Sequence, residues 1–477
     1  MESNLTEAPA LLSQIQDGDV RTKVIFTYSR SGSDPKLKYQ CVNGNESAID
    51  GKDIIGVFPT PRQRLTHKVV FVVNPEKQGD HPDIKSITAI GLPIDFLQDY
   101  ESTFPVGIDS EGPPHDIFIH IIISTLSGTG KAKDFYNRAI KPVLSYLPLQ
   151  ENQYILHYTQ SEKSVTELTA HTILPRANEG TRQRIIILSG DGGIVDIINS
   201  LLSAPHRGKY RPPELTILPL GTGNALAHSI GITNDNTFGL ASLIRGHAKP
   251  LPLFKASFSP GARLLVDEAN SEEELATDPD SGKPTLYGAV VCSWGMHAGL
   301  VGDSDTTEYR KHGAERFRMA AKEALFPADG SAPHTYKAKV SVLKKDAASN
   351  EESWAPIPRN EHMYVLATLV SNLEKSFTIS PASKPLGGQL RLVHFGPMAG
   401  EEVMRVMGLA YQAGQHVNDP AVGYEDIEGL CVEFEGREED ARWRRICIDG
   451  KIIRVEKDGW VEVRKEERPV IDVVFLV

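Results

Sequence analysis

The sequence predicts a parallel α/β domain followed by a β-rich sandwich domain, with a small β extension ahead of both. Three observations carry this. Strand-turn-helix units repeat between residues 113 and 246; residues 247–477 are strand-rich with two helical stretches; and residues 1–112 read as short strands cut by Gly, Asn and Pro. The chain has 477 residues, a soft prior for about three domains. With 40% apolar and 24% charged residues, the composition is globular.

Residues 1–112 hold candidate strands at 23–28, 38–42, 53–58 and 69–73, then no strong periodicity as far as Gly112-Pro113-Pro114, which reads as a boundary. In residues 113–246, the apolar run 117–123 precedes a Gly-rich turn. Phe135, Ala139, Val143 and Leu147 then recur every fourth residue, as one face of a helix requires, with Pro142 opening its second half. Strand 154–158 and a helix face of Val165, Leu168 and Ile173 come next, then strand 185–188, a turn, helix 194–202, strand 215–218, a turn and helix 224–230. Such units build a parallel sheet, and ligands of these sheets lie at the carboxyl ends of the strands. Beyond residue 246, strands dominate, interrupted by helices near 308–325 and 401–412, and the last strands can return to the first domain. Residues 267–283 carry seven acids and one lysine and read as a solvated loop, with a second insertion at 344–359.

Fifty-one Lys and Arg against 62 Asp and Glu leave a net charge of −11. That balance argues against a sequence-independent grip on nucleic acid, which needs clustered cations, and against bulk adhesion to an anionic membrane. Cys41, Cys292, Cys431 and Cys447 lie far apart, so neither a disulfide scaffold nor a zinc site is expected. The first residues lack a basic stretch followed by an apolar one, and no apolar run approaches the roughly 20 residues of a membrane span. The expectation is a cytoplasmic protein.

Three Gly-rich turns follow strands of the one parallel sheet: Ser127-Gly128-Thr129-Gly130-Lys131-Ala132, Ser189-Gly190-Asp191-Gly192-Gly193, and Pro219-Leu220-Gly221-Thr222-Gly223-Asn224. Glycine lets backbone approach a phosphate, and a helix start presents unpaired N–H groups to it, so together they point to a nucleotide site. The first turn is not a Walker loop, because Thr125 and Ala132 stand where that motif needs Gly and a hydroxyl. No dinucleotide fingerprint is matched either. Asp191, between glycines at a strand end, can take a proton from a hydroxyl or help hold a metal; an Asp in a turn also commonly bonds the next backbone N–H groups. Asp196 and Asn199 on the following helix are candidates for a substrate contact and a cap to a neighbouring loop.

In order and approximate spacing these motifs, with Leu218-Pro219 and Ala225-Leu226-Ala227 completing the third, resemble the diacylglycerol kinase catalytic family, most of all its sphingosine kinase branch. Ser293-Trp294-Gly295, Asp303 and the segment from Glu308-Tyr309-Arg310 to Glu315-Arg316-Phe317 are similar to a region typical of sphingosine and ceramide kinases, and Ile448-Asp449-Gly450 to the family's last motif. The resemblance spans about residues 116–463 and implies the two-domain fold shared by NAD kinases and diacylglycerol kinases. This chain departs from the pattern at Ser124-Thr125, where the family has Asn-Pro, at Lys451, where it has Glu, at Asp196, a shorter acid, and in two extra residues between Trp294 and Asp303.

The resemblance implies an ATP-dependent lipid kinase acting on the primary hydroxyl of a sphingoid long-chain base. Asp191 would be the general base. Ser127, Gly128, Gly130, Lys131, Gly190, Gly192, Gly193, Gly221, Thr222, Gly223, Asn224, Arg310, Arg316 and Asp449 would hold the nucleotide, and Mg²⁺ would travel with ATP near Asp191 and Asp449. Asp303 and Asp196 would meet the lipid. The strands beyond Gly246 and the stretch Val403-Met404-Arg405-Val406-Met407 can line a slot for its tail. Transient contact with a membrane surface follows, with no nucleic-acid partner. Ceramide or diacylglycerol as acceptor, a soluble NAD kinase-like enzyme that shares the Gly-Asp-Gly turn, and a catalytically degenerate lipid-binding protein remain as alternatives.

Overall fold

A computed structural model of the protein describes residues 14–476, apart from 18–19, 31–34, 42–43, 61–64, 74–81, 105–116, 126–127, 129, 148, 150–152 and 347–348. Ser127 and the Gly112-Pro113-Pro114 boundary lie outside the described residues.

Residues 14–100 form a seven-stranded antiparallel sheet closed by helix Ile94–Tyr100. The strands run in the order Glu46–Asp50, Lys36–Cys41, Val20–Ser29, Gln14–Asp17, Asp83–Ile90, Thr66–Val73, Ile54–Pro59. Strand Asp83–Ile90 and the helix stand in the stretch where the sequence shows no periodicity. The strand alternates too weakly to be read, and the helix is a single seven-residue piece whose Phe96 and Tyr100 meet Leu37, Ile54 and Val69 in the core.

The second sheet has the order His247–Pro250, Asp472–Phe475, Glu214–Pro219, Gln183–Ser189, Phe118–Ile123, Tyr154–Tyr158. Its pairs are parallel except at the His247–Pro250 edge. Gln183–Ser189 is buried along its whole length, as a central parallel strand covered on both faces must be. The chain leaves this layer after residue 250, builds the sandwich, and returns for its final strand, which pairs with Glu214–Pro219.

The sandwich joins a six-stranded and an eight-stranded sheet over one apolar core, with Phe254, Val340 and Val463 from the first meeting Leu366, Leu392 and Ile446 from the second. Residues 267–283, expected as a loop, instead form a hairpin in part: Ser271–Glu274 pairs with Arg263–Val266. Its acids are held by cations, Glu272 by Arg454 at 2.7 Å and Glu273 by Lys163 at 2.8 Å. The expected helix at 308–325 is two, Thr307–Arg310 and Glu315–Leu325, parted at Gly313, whose φ is +57°. A further helix, Met296–Asp303, follows strand Val291–Gly295 directly; glycines at 299 and 302 hide its periodicity.

Candidate active site

The three Gly-rich turns lie side by side at the carboxyl edge of the parallel sheet, as the register of its strands dictates. Their glycines serve two purposes. A Cβ on Gly221 would come within 2.3 Å of Gly190 Cα, and one on Gly128 within 2.1 Å of the Leu220 carbonyl, so these positions let turn pack on turn. Gly192 has nothing within 4 Å of a Cβ position, leaving its backbone open to the space beyond. Asn224 adopts a left-handed conformation (φ 53°), and its amide spans Gly221, accepting that N–H at 3.0 Å and donating to that carbonyl at 2.9 Å.

Asp191 opens helix Asp191–Leu201, and its carboxylate accepts the Ala225 N–H at 2.8 Å and the Leu226 N–H at 3.1 Å. It thereby ties the second turn to the third. Each oxygen keeps a lone pair, so the structural bond and a proton-accepting role are compatible. Burial pushes its carboxyl above the usual range, against the pull of the backbone N–H groups. Asp449, across from it, accepts the N–H groups of Ala289, Val290 and Val291 at 2.6 to 3.1 Å. Burial first, with repulsion from Asp191 adding, pushes Asp449 up to about 7.

These groups face one cavity of about 950 Å³ that lies between the parallel sheet and the sandwich. One end is walled by Gly128, Gly190, Asp191, Gly192, Gly193, Asp196, Gly221, Thr222, Gly223 and Asp449. The other is apolar: Leu300, Phe317, Leu325, Leu373, Phe377, Met404, Met407 and Tyr411. Met404 and Met407 lie on helix Gly400–Ala410, and exposed Met404 and Tyr411 mark the mouth. Half-buried His297 sits on the same wall, its Nδ1 2.7 Å from Ser293 Oγ, and desolvation lowers it to about 4, so it is neutral at pH 7.

Several expected site residues are employed otherwise. Asp303 is not on the cavity wall; Arg442 and Arg445 grip its carboxylate at 2.7 and 2.8 Å. The acid that reaches the cavity there is Asp305, held by Arg310 at 3.0 Å and Arg316 at 3.1 Å, so both arginines line the cavity already paired. Asp303 is the last residue of helix Met296–Asp303. Asp196 lines the cavity, but its carboxylate is 2.8 Å from Lys451 Nζ, which removes it as an unpaired acid for the lipid. Asn199 bonds the Tyr287 backbone through both ends of its amide at 2.9 Å, joining helix Asp191–Leu201 to strand Thr285–Gly288. Gly130 and Lys131 are exposed and stand outside the cavity, as does Asn224, whose amide is spent on Gly221. Glu374 and His297 escaped the sequence reading, because neither belongs to a turn motif and only the sandwich brings them to the wall.

Among known proteins, residues 119–256 match the diacylglycerol kinase catalytic domain. Sphingosine kinase 1 of Homo sapiens is 22% identical over 349 residues, covering 65% of this chain and 81% of that protein. Sphingosine kinase 2 of Arabidopsis thaliana is 21% identical over 360 residues, covering 68% and 66%. A crystal structure of a diacylglycerol kinase from Bacillus anthracis str. Sterne overlays with a TM-score of 0.44 at 12% identity, covering 75% of this chain and 97% of that one.

Proposed function

We propose that this chain, which belongs to the diacylglycerol kinase catalytic family in its sphingosine kinase-like branch, is a lipid kinase that transfers the γ-phosphate of ATP to the primary hydroxyl of a sphingoid long-chain base. The observation that carries the reading is the continuity of the cavity. Phosphate-cradling turns and a carboxylate stand at one end and an apolar slot opens at the other, so one ligand can be ionic and the other amphiphilic without either leaving its own kind of wall.

In this reading the acceptor hydroxyl lies at Asp191. Its oxygen attacks the γ-phosphorus, the bond to the β-phosphate oxygen breaks to release ADP, and the hydroxyl proton passes to the Asp191 carboxylate. The open backbone at Gly192 and the start of helix Asp191–Leu201 give room and N–H groups to the phosphates. Arg310 and Arg316 can reach the phosphates by leaving Asp305. Phosphoryl transfer asks mostly for such positioning and charge neutralisation.

Mg²⁺ would neutralise charge on the phosphate oxygens. Asp449 spends its oxygens on three backbone N–H groups, and among the described residues no three His, Cys, Asp or Glu side chains form a metal cluster. The residues therefore fit an ion carried in by the nucleotide, with Asp191, whose oxygens each accept one N–H, supplying one oxygen, rather than a resident cage. No helix among the described residues is long and apolar enough to cross a membrane, so transient contact through the Met404 and Tyr411 mouth is the proposed route to a bilayer lipid. The acidic net charge leaves no basis for a nucleic-acid partner.

The test is radiolabelled ATP with sphinganine, ceramide and diacylglycerol in mixed micelles, and NAD in solution. Label in sphinganine supports the reading, label in ceramide or diacylglycerol shifts the acceptor, and label in NAD alone contradicts a lipid substrate.

A further inference from the structure

We propose that Glu374 reads the acceptor's head group, holding an ammonium beside the hydroxyl that Asp191 deprotonates. This rests on the kinase reading above and gives its substrate a chemical class: a long-chain primary amine rather than an amide or ester.

The other acids on the inner cavity wall are engaged. Asp305 is held by two arginines, Asp196 by Lys451, Asp449 by three backbone N–H groups and Asp191 by two; Glu162, Asp267 and Glu268 stand exposed at the rim, Glu268 accepting the Thr307 N–H. Glu374 also faces the cavity and is half-buried, yet among the described residues no hydrogen bond or ion pair engages its carboxylate. Burial, with the nearby Glu315 carboxylate adding, raises its carboxyl above the usual range, as an acid without its own cation must respond. Glu315 itself is bound by Arg318, and the Tyr411 hydroxyl is the remaining titratable neighbour.

The position suits the role. Hairpin Asn372–Glu374 and Phe377–Thr378 is fastened to helix Ala225–Ser229, the Asn372 N–H donating to Ser229 Oγ at 2.9 Å and Ser229 Oγ to the Asn372 carbonyl at 3.1 Å. That helix presents the N–H groups that hold Asp191. The Leu373 carbonyl and Asp191 Oδ2 lie 3.6 and 3.9 Å from the Cβ position of Gly223, so the residue before Glu374 and the base flank one glycine. Phe377 of the same hairpin meets Tyr411 edge-on, 4.9 Å between ring centres, and begins the apolar wall. Charged head and apolar tail of a long-chain base thus meet matching groups in sequence along one hairpin. A carboxylate with no cation discriminates strongly, because an ammonium supplies a charge-assisted hydrogen bond that a neutral amide or ester does not.

The experiment compares wild type with Glu374→Gln on sphinganine and on N-acetylsphinganine, measuring phosphorylation and, separately, equilibrium binding of each lipid in micelles. Wild type is expected to prefer the amine at least tenfold. Glu374→Gln should raise KM for sphinganine tenfold or more, leave KM for ATP and handling of the acetylated lipid unchanged, and so abolish the preference; Glu374→Asp should restore part of it. An unchanged preference in Glu374→Gln overturns the proposal. If wild type phosphorylates neither lipid yet binds the amine in a Glu374-dependent way, the kinase reading fails and the head-group assignment stands; equal binding of both lipids overturns the assignment itself.

Discussion

Asp191 and Asp449 face one another across the cavity, and the order in which they titrate has a measurable consequence. In the proposed reading Asp191 is the base and must be ionised, so with its carboxyl raised by burial, activity falls as pH falls through a value higher than the ordinary 3.8. Asp449, pushed up to about 7 by burial and by Asp191, takes up its proton first, so Asp449→Asn should leave the acid limb of the kcat/KM profile of the remaining activity in place. A limb shifted to lower pH would mean that Asp449 is still charged while Asp191 titrates. Lys451 is a second residue-scale case. It stands where relatives in the sequence pattern carry Glu, and its ammonium bonds Asp196 while retaining two further N–H donors on the cavity wall. Lys451→Met is expected to raise KM for ATP about tenfold, the worth of one charged hydrogen bond, with KM for lipid little changed. Steady-state kinetics with each substrate varied checks this.

At the scale of elements, the turns were the most legible part of the molecule because each is contiguous: Gly-Asp-Gly-Gly and Gly-Thr-Gly-Asn announce themselves within a few residues. The sequence could not tell which glycines serve a ligand and which serve packing. The structure separates them, Gly190 and Gly221 touching backbone to backbone while Gly192 stands open. Gly221→Ala should therefore lower the melting temperature as well as activity, whereas Gly192→Ala should lower activity with stability nearly kept. Equal melting of the two variants would contradict the division. The surroundings of Asp303 were illegible for a related reason: a place in the chain does not say which way a residue faces around a helix, and its partners Arg442 and Arg445 are more than a hundred residues away. The hairpin bearing Glu374 was illegible because a three-residue strand has no period to read.

For the whole molecule, the N-terminal sheet and the parallel domain share a core: Ile55, Phe58, Val70 and Val72 pack with Phe135, Ile140 and Ile244. Arg245 reinforces the junction, donating to the carbonyls of Ile54, Ile55 and Asp99 and lying 4.7 Å from the Tyr100 ring centre. Arg245→Ala would strand these buried carbonyls and is expected to cost about 2 to 4 kcal/mol in a denaturant titration, with both parts unfolding in one transition. Separate transitions would show the sheet to be an independent appendage. The larger organisation serves the cleft, since the chain crosses from the parallel sheet to the sandwich and back, and the cavity is walled by both. The claim that this cavity transfers phosphate is tested most directly by γ-labelled ATP with sphinganine in mixed micelles, comparing wild type with Asp191→Ala. Labelled lipid phosphate from wild type, and a rate at least about a hundredfold lower from a variant that still binds ATP, is the expected result; a folded, ATP-binding Asp191→Ala protein that transfers label at the wild-type rate would contradict it.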